Sequence, residues 1–504
     1  MTPPPRELGE VRTVLPAARV AGARAAAATE RQRVLGVTAD SRAVKAGWVF
    51  VCLKGARYDG HAFVPKAVRD GAVAVVAERP LRCTAPLFVV RDTRRALAAL
   101  SAWAWGYPSS GLDILGITGT SGKTTTAYMV EAILRAAGRR PALFGTVAYR
   151  FGDRRFPSNH TTAEAPDLQK VISRVRRAGA DAVVMEVSSH ALDQHRVEGV
   201  AFRVGAFTNL SREHLDYHRT MRAYRDAKTR LFAGLPAATR GGAAVVNLDD
   251  PAGRLVTGGT SARILGVSRT SRTGAWLSAS AVVATRHGTG FVLREGKRRL
   301  SVRLRLLGDY NVDNALVASG VARALGVELE GVRAGLQKLA SVPGRFQPVP
   351  LPAPFTVVVD YAHKPDALSR VLASARDLRP RRLLCVFGCG GNRDRGKRPV
   401  MGAIATSRAD FTWVTSDNPR DEAPEAIIRE IVRGVRRGGR HAVEPDRRRA
   451  IGAALAAARP GDLLVIAGKG HEQYQLVRGR RLPFDDARVA RAAWTAVHGR
   501  EGRG

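Results

Sequence analysis

An α/β fold is predicted, with three domains and a central, mostly parallel sheet. The 504 residues allow about three domains, at roughly 150 residues each. From about residue 34 onward, short apolar segments typical of buried strands alternate with helical patterns. One of these strands leads through a glycine-rich loop into a helix, and such a junction points backbone N–H groups towards an anion.

A small N-terminal α/β domain is predicted over residues 1–110. Its first nine residues are expected to be disordered. Three strands and a helix should follow, in the segments VFVCL, AVAVVA, PLFVV and RDTRRALAALSAWAW. The turn-rich segment YPSSG at 107–111 marks the end of this domain.

The central domain is predicted over 111–347, is of the P-loop type and begins with the glycine-rich loop. Helices should separate strands at 142–148, 182–188, 203–208 and 243–248, the pattern of a largely parallel sheet. The stretch SASAVVATRHGTGFVLREGKRRLSVRLRL instead predicts consecutive β segments, before a helix in NVDNALVASGVARALG.

The C-terminal domain is predicted over 348–504 and begins in the proline-rich segment QPVPLPAP. It should be a third, Rossmann-like α/β unit. Its expected strands are TVVVD, LLCVF, FTWVT and DLLVIAG.

The formal net charge of +37 raises the hypothesis of nucleic-acid binding. The basic residues, however, lie in short scattered runs, such as 174–177 and 436–440, and are not interleaved with aromatic residues. Only 11 of the 81 basic residues are lysine, which indicates a bias of composition towards arginine. A solvated basic surface is favoured, and nucleic acid is not expected as a partner.

The sequence favours a cytoplasmic location. No apolar run reaches the ~18–20 residues that span a bilayer, and the first residues lack the apolar segment of a secretory signal. The 4 cysteines form no CxxC pair and are expected to be reduced thiols. A monomer without a membrane partner is expected.

The segment GITGTSGKTTTAYM, residues 116–129, predicts a nucleotide site. Gly119 and Gly122 allow a tight turn, Lys123 would hold the outer phosphates, and the Thr124 hydroxyl would ligate Mg²⁺. The generic P-loop pattern is not met in full, because Ile117 occupies its first glycine position.

Glu186 lies within the apolar strand of MEVSSHAL, where a buried carboxylate needs a cation or hydrogen-bond donors. A structural ion pair and a metal site both satisfy this need, and the metal site fits better. His214 lies in the loop of FTNLSREHLDYH and would complete a second metal position.

Lys228 shares one face of the helix TMRAYRDAKTRLF with apolar residues. One interpretation is a lysine whose head group reaches water. The other is a buried amine that reacts with CO₂ to become a carbamate, which an arginine cannot do because it keeps its proton.

Polar clusters also follow the later strands, where α/β sheets bind ligands. In DNPR, Asn418 and Arg420 would offer amide and guanidinium contacts to a carboxylate. Glu472 offers the opposite charge. A site that combines Arg393, Arg420 and Glu472 would suit a zwitterion such as an amino acid.

Together these motifs resemble the Mur ligase family. The resemblance runs from about residue 34 to 486 and is carried by GTSGKTTT, HTTAEAPDLQ, MEVSSHAL, FTNLSREHLDYH, DAKTRLF, LLGDYNVDNALVA, PGRF, VDYAHKPDAL, GCGGNRDRGKRP, DNPR and GKGHE. It implies an enzyme that uses ATP and Mg²⁺ to add an amino acid, meso-2,6-diaminopimelate, to UDP-N-acetylmuramoyl-L-alanyl-D-glutamate in peptidoglycan synthesis.

The resemblance also implies four groups of site residues. The ATP group is Gly119, Thr120, Ser121, Gly122, Lys123, Thr124, Thr125, Asn311, Arg345 and Asp360. The Mg²⁺ group is Thr124, Glu186, His214 and carbamylated Lys228, and Lys123, Lys228 and His214 would be catalytic. The UDP-substrate group is Ser41, Ala56, Arg57, Tyr58, Thr161, Thr162, Ser188, Gln194 and Arg196. The diaminopimelate group is Arg393, Asp417, Asn418, Pro419, Arg420, Gly468 and Glu472.

The chain departs from the family pattern beside the UDP-substrate group. His160 stands where asparagine is usual, and Ala163 stands where glycine is usual. Three alternatives stay open: a ligase that adds L-lysine, a folylpolyglutamate-like ligase, and an inactive basic homologue associated with nucleic acid. Arg420 in DNPR favours diaminopimelate over L-lysine, because it would hold the distal carboxylate that lysine lacks.

Overall fold

The structure is a computed structural model that describes residues 3–21, 30–55, 58–158 and 160–498. The chain divides into two compact units. The first unit comprises Met1–Ala279, Leu293–Leu300 and Asp313–Gly335, and the second comprises Ser280–Val292, Ser301–Val312 and Leu336–Gly504. The mixed α/β class predicted from the sequence is confirmed.

The N-terminal part of the first unit holds a sheet of order β2-β7-β6-β5-β4. The strands of this N-terminal part are β1 Arg6–Glu7, β2 Arg19–Ala21, β3 Arg33–Val34, β4 Gly36–Thr38, β5 Trp48–Val51, β6 Ala72–Ala77 and β7 Leu87–Val89, of which β1 and β3 form a separate pair. Its helices are α1 Val11–Val14, α2 Val64–Arg69 and α3 Thr93–Ala104, with 3₁₀ turns at Leu8–Glu10 and Gly60–Phe63. All six residues of β6 are buried, as expected for a parallel strand covered on both faces.

The expectation of disorder over residues 1–9 is wrong for the described part of that segment. β1 pairs with β3, and the backbone N–H of Leu8 donates to the carbonyl of Gln32. Leu8 and Val11 are buried in the core of this sheet. The burial of these two apolar side chains orders the chain immediately after its prolines.

The larger sheet of the first unit has the order β11-β10-β9-β12-β8-β13-β14-β15-β16. The strands of this region are β8 Asp113–Thr118, β9 Pro141–Phe144, β10 Tyr149–Phe151, β11 Arg154–Phe156, β12 Ala182–Glu186, β13 Phe202–Phe207, β14 Ala243–Asn247, β15 Arg263–Ser268, β16 Ala275–Thr285, β17 Gly288–Glu295 and β18 Arg298–Leu304. Neighbouring strands in the run β9-β12-β8-β13-β14-β15-β16 are parallel. β10 pairs antiparallel with both β9 and β11.

The helices of this region include the one that follows the glycine-rich loop and the one that carries Lys228. They are α4 Lys123–Ala136, α5 Ala165–Arg177, α6 Ser189–Asp193, α7 Leu215–His218, α8 Met221–Ala233, α9 Gly253–Val256, α10 Tyr310–Ala324 and α11 Leu329–Lys338, with a 3₁₀ turn at Ala238–Arg240. Since β8, β12 and β13 are parallel neighbours, their carboxyl ends meet at one edge of the sheet. That edge carries the glycine-rich loop, Glu186 and the segment that leads to His214.

The second unit contains a sheet of order β19-β20-β24-β21-β22-β23, parallel except for β19. The strands are β19 Gln347–Pro348, β20 Thr356–Asp360, β21 Leu383–Phe387, β22 Phe411–Val414, β23 His441–Val443, β24 Leu463–Ala467, β25 Tyr474–Val477 and β26 Arg480–Pro483. The helices are α12 Pro365–Asp377, α13 Lys397–Arg408, α14 Pro424–Val432, α15 Arg447–Ala457 and α16 Asp486–His498. Within the described ranges, no helix is long and apolar enough to cross a membrane.

Candidate active site

The phosphate loop joins β8 to α4 through two glycines whose backbones need positive φ. Gly119 has φ of 149°, and a Cβ there would lie 1.9 Å from Thr208 Oγ1. Gly122 has φ of 84°, and a Cβ there would lie 2.3 Å from Asn314 Oδ1. Both positions therefore exclude any side chain, for reasons of space and of backbone conformation.

The segment after β13 braces this loop. Asn209 Oδ1 accepts from the N–H of Ser121 at 2.9 Å, and the Asn209 carbonyl accepts from the N–H of Thr120 at 2.8 Å. Lys123 Nζ lies over the loop and donates to the carbonyls of Gly119 and Thr120, both at 2.8 Å. Hydrogen bonds to Asn209 and from Lys123 thus fix the conformation of the loop.

Glu186 ends β12 and is buried. Its Oε2 accepts from Thr124 Oγ1 at 2.9 Å and from Thr146 Oγ1 at 3.2 Å, and its Oε1 accepts from the Thr146 N–H at 2.8 Å. These donors are two hydroxyls and a backbone amide, and no ion pair of Glu186 occurs among the described residues. The structural ion pair considered from the sequence is therefore not formed.

The head group of Lys228 does not reach water. The residue is 1% exposed, and its Nζ donates to the Gly119 carbonyl at 2.9 Å and lies 4.4 Å from the centre of the Tyr224 ring. Burial, followed by repulsion from Lys123, lowers the pKa of this amine well below its usual value. Lys228 is a buried amine biased towards its neutral form.

His214 approaches the same region through aromatic contacts. Its backbone is left-handed, with φ of 57°, and its ring lies 6.1 Å from the Tyr224 ring and 4.8 Å from the His190 ring. Tyr224 also contacts Lys228 and shares a 3.1 Å hydrogen bond with Thr120 Oγ1. One tyrosine therefore links His214, Lys228 and the phosphate loop.

The donor set at this edge fits Mg²⁺ better than a metal held only by the protein. In the described part of the chain, no cluster of three or more His, Cys, Asp or Glu residues is arranged to hold a metal ion. Mg²⁺ is usually bound by one or two carboxylates together with substrate phosphates and water. The Thr124 hydroxyl donates to Glu186, and a hydroxyl oxygen also carries lone pairs of the kind that bind Mg²⁺.

The predicted contacts of the muramoyl peptide are also brought together. Thr162 Oγ1 donates to the Glu186 carbonyl at 2.9 Å and accepts from the Ser188 N–H at 3.1 Å. Arg196 donates from Nη1 to the Thr162 carbonyl at 3.1 Å and from Nη2 to Gln194 Oε1 at 2.6 Å. The Thr161 hydroxyl lies 3.0 Å from the Thr146 hydroxyl.

The two departures from the family pattern lie at the edge of this group. His160 is exposed, and its carbonyl accepts from Ser158 Oγ at 2.7 Å. Ala163 is buried, and its N–H donates to the Tyr149 hydroxyl at 2.8 Å. Tyr149 in turn donates to the Thr161 carbonyl at 3.3 Å. The Tyr149 hydroxyl therefore joins the main chains of Ala163 and Thr161.

The residues expected to contact uridine are described only in part. Ser41 is half-buried and follows β4, with its carbonyl 3.5 Å from Lys66 Nζ. Tyr58 is 72% exposed. Ala56 and Arg57 lie outside the described residues.

In the second unit, Asp360 and Arg345 lie together. The Asp360 carboxylate accepts from the N–H groups of Phe346 and Ala362, at 2.7 and 2.9 Å. Burial raises the pKa of Asp360, and the charge of Arg345 opposes that rise. Asn311 is buried and donates from Nδ2 to the Leu307 carbonyl at 2.7 Å.

A buried polar cluster lies at the end of β22 and contains most of the predicted amino-acid contacts. Asn418 Nδ2 donates to Glu472 Oε2 at 2.8 Å. Lys469, with a side chain 0% exposed, donates to Asn418 Oδ1 at 2.9 Å and lies 3.4 Å from Asp417 and 3.5 Å from Glu472. Gly468 has φ of 120°, and a Cβ there would lie 3.3 Å from Asp417 Oδ2.

Arg420 is held beside this cluster in a left-handed backbone conformation, with φ of 53°. Its N–H donates to the Leu476 carbonyl at 2.9 Å, and its Nη1 donates to the Gly391 carbonyl at 2.8 Å. A Cβ built at Gly390 would lie 2.8 Å from Arg420 Nη1 and 3.9 Å from Arg393 Cγ, so both arginines approach one glycine. Pro419 precedes Arg420 and is buried.

These networks also contain residues that were not predicted from the sequence as site residues, among them Thr146, Asn209 and Lys469. Lys469 carried one signal, since lysine is rare in this chain and this one lies in GKGHE. Thr146 and Asn209 each follow a strand end, which is a weak signal that many polar residues share.

Family models match most of the chain. The Mur ligase middle domain matches residues 117–322, the glutamate ligase domain of Mur ligases matches 344–470, and the catalytic domain of the Mur ligase family matches 33–103. The chain belongs to the Mur ligase family. The resemblance inferred from the motifs is confirmed.

Relatives of this Mur ligase carry a more specific name. A protein of Syntrophomonas wolfei named UDP-N-acetylmuramoyl-L-alanyl-D-glutamate–2,6-diaminopimelate ligase is 43% identical over 465 residues, which are 91% of this chain and 94% of the relative. A protein of Bacillus cereus with the same name is 42% identical over 471 residues, with 92% and 95% covered.

Solved structures agree with this assignment to the Mur ligases. A structure of a ligase with that same name has a TM-score of 0.69 at 35% identity and covers 93% of this chain and 96% of its own. A Thermotoga maritima MurF ligase in complex with ADP has a TM-score of 0.59 at 20% identity, with 93% and 98% covered, and supports the fold alone.

Proposed function

We propose that this Mur ligase joins meso-2,6-diaminopimelate to the D-glutamate side-chain carboxylate of UDP-N-acetylmuramoyl-L-alanyl-D-glutamate, at the expense of ATP. The observation that carries this proposal is the hydrogen-bonded path from Thr124 of the phosphate loop through Glu186 and Thr146 to Thr161. This path supports the proposal because it links Thr124, which would hold the nucleotide, to Thr161, which would hold the acceptor substrate, through Glu186 and Thr146.

The first chemical step would be attack of a glutamate carboxylate oxygen on the γ-phosphorus of ATP. ADP leaves, and an acyl phosphate forms. Two anions must meet, and their repulsion costs about 1 kcal/mol at 4 Å in water and several-fold more in a drier site. Lys123 and the N-terminal end of α4 would offset this repulsion, with the other loop residues holding the phosphates.

In the second step, the amine of diaminopimelate attacks the acyl carbon. The amide bond forms as phosphate leaves, and the amine gives up a proton. Diaminopimelate carries two ammonium groups and two carboxylates, so its site needs both signs of charge. We assign Asp417, Asn418, Gly468 and Glu472 to its cationic part, and Arg393 and Arg420 to a carboxylate, with Pro419 shaping the turn between them.

Mg²⁺ would be held by Thr124 and Glu186 at one position and by His214 and carbamylated Lys228 at a second. When bound, it would supply positive charge beside the phosphate oxygens. Carbamylation joins the neutral Lys228 amine to CO₂ and releases one proton, so the neutral amine becomes an anion. The depressed pKa of Lys228 favours that reaction.

The remaining assignments follow the family resemblance. Further ATP contacts are proposed at Thr120, Ser121, Thr125, Asn311, Arg345 and Asp360. The UDP-substrate would be held by Ser41, Ala56, Arg57, Tyr58, Thr161, Thr162, Ser188, Gln194 and Arg196. A monomeric enzyme that works in the cytoplasm is proposed.

Phosphate release tests this function. Release should require both the UDP-muramoyl dipeptide and meso-diaminopimelate, and L-lysine should replace the latter poorly. Efficient release with L-lysine would instead indicate a lysine-adding ligase. Absence of release together with salt-sensitive binding of DNA would favour the basic homologue that the charge of +37 suggests.

A further inference from the structure

Thr146 lies between Glu186 of the proposed Mg²⁺ group and Thr161 of the proposed UDP-substrate group, and it belongs to neither group. It follows β9, at the same sheet edge as Glu186, because β9 and β12 are parallel neighbours. Its hydroxyl is 3.2 Å from Glu186 Oε2 and 3.0 Å from the Thr161 hydroxyl. Thr146 and Thr161 are half-buried, whereas Glu186 and Thr124 are buried.

The chemistry of these groups fixes the direction of the hydrogen bonds. An ionised carboxylate only accepts, so Thr124 and Thr146 must both donate to Glu186. A hydroxyl carries a single proton, and that of Thr146 is used on Glu186. Thr161 is therefore the donor in the bond between the two threonines.

This direction determines what Thr161 offers to a ligand. Its proton points towards Thr146, and its lone pairs remain for a donor. Such a hydroxyl suits an N–H group and does not suit a carboxylate. In the UDP-muramoyl dipeptide, the amide N–H groups are donors of this kind.

We infer that Thr146 is a positioning residue, which turns the Thr161 hydroxyl so that it accepts from an amide N–H of the muramoyl dipeptide. This inference rests on the proposed function for the identity of the ligand. Thr146 acts through Thr161 and Glu186 and need not touch the substrate. Its backbone N–H donates separately to Glu186 Oε1 at 2.8 Å, so the carboxylate keeps one anchor when the hydroxyl is removed.

Neighbouring atoms leave little freedom for Glu186 to move. A Cβ at Gly145 would lie 2.2 Å from Glu186 Oε1, so the carboxylate lies directly against the main chain that precedes Thr146. The Thr146 side chain is therefore set against a fixed acceptor, as a positioning residue requires.

The test compares Thr146→Val with Thr146→Ser. Valine has nearly the same shape without the hydroxyl, and serine keeps the hydroxyl. With Thr146→Val, the Kd for the UDP-muramoyl dipeptide, measured by calorimetry without ATP or Mg²⁺, should rise about tenfold, the effect of one lost hydrogen bond. Thr146→Ser should stay within about twofold of the unmodified protein. In the complete reaction, the KM for the dipeptide should rise with Thr146→Val while the KM for diaminopimelate does not change.

A double-variant cycle with Thr161→Val tests the direction of the relay. If Thr146 acts through Thr161, the double variant should bind the dipeptide no more weakly than Thr161→Val alone. Additive losses would overturn the inference. Unchanged binding by Thr146→Val, or equal weakening by Thr146→Ser and Thr146→Val, would also overturn it.

The same experiment separates this inference from the proposed function. If the unmodified protein binds the dipeptide but forms no amide, the proposed function fails, and the binding comparison still decides the role of Thr146. If the unmodified protein does not bind the dipeptide, both are refuted. Thermal unfolding of each variant identifies a loss of fold, and Thr146→Ser then serves as the informative member of the pair.

Discussion

Lys123 and Lys228 donate hydrogen bonds to the same atom, the carbonyl oxygen of Gly119, at 2.8 and 2.9 Å. Two ammonium groups this close repel each other, and Lys228 is the more buried of the two. Burial and this repulsion lower the pKa of Lys228. Under the proposed function, Lys123 would hold phosphate as a cation, and Lys228 would react with CO₂ as a neutral amine.

Lys228→Ala should therefore lose most of the ligase activity, by about 100-fold or more, as expected for removal of a charge at the reacting centre. A short carboxylate at high concentration should restore part of the activity by replacing the carbamate. Phosphate release measures both effects. Lys228→Arg is the matched control, since it keeps a cation but cannot form a carbamate. Full activity in Lys228→Ala would contradict the proposed role.

Arg420→Lys should reduce kcat/KM for meso-diaminopimelate by about 10- to 100-fold and change that for L-lysine little. The guanidinium can bind a carboxylate with two parallel hydrogen bonds, which an ammonium cannot do. Amide formation with each amino acid measures the ratio of kcat/KM for meso-diaminopimelate to kcat/KM for L-lysine. Arg478→Lys is a suitable control, because Arg478 is exposed and is joined to Arg420 only through the main chain. A ratio unchanged in Arg420→Lys would remove Arg420 from the specificity site.

Lys469→Met should destabilise the protein by about 3–5 kcal/mol, because it leaves Asp417 and Glu472 close together without their buried cation. Adding Glu472→Gln should recover part of that loss, since one of the two carboxylates is then neutral. Urea unfolding measures both variants, with Lys45→Met as the exposed control. If Lys469→Met is as stable as the unmodified protein, the cluster does not depend on its charge.

Glu422 gives a prediction about pH. Hydrogen bonds from Arg398, whose side chain is 0% exposed, lower the pKa of Glu422 from 4.5 to about 2. A carboxyl group with a depressed pKa in the folded state stabilises the protein above pH 4.5, and this contribution is lost as the pH falls to about 2.

The unmodified protein should therefore exceed Glu422→Gln in the free energy of unfolding by more at pH 6 than at pH 3. Urea unfolding at the two pH values gives the comparison. Asp153→Asn, at an exposed position, corrects for the general effect of removing a charge. A gap between the two proteins that stays constant with pH would show that Arg398 does not stabilise the ionised form.

Much of the fold was predictable because its signals are local. The buried strands β6, β8, β20 and β24 are short apolar runs, and the phosphate loop is a contiguous pattern. The burial of Lys228 was also accessible, because a helix places residues three and four apart on one face. The order seen over residues 3–9 was missed, since it depends on pairing of β1 with β3.

The parts of the site that were missed depend on contacts between distant segments. Thr146 gains its partners only because β9 and β12 lie side by side, about forty residues apart in the chain. Lys469 meets Asn418 only because β24 and β22 end at the same edge of their sheet. No local pattern encodes either meeting.

The most direct test follows oxygen from the substrate. The side-chain carboxylate of D-glutamate in the UDP-muramoyl dipeptide is labelled with oxygen-18, and the phosphate released with ATP and meso-diaminopimelate is analysed by mass spectrometry. Transfer of one labelled oxygen to each phosphate is predicted, because that carboxylate oxygen bridges to phosphorus in the acyl phosphate. Released phosphate without label, formed alongside the amide product, would contradict the account.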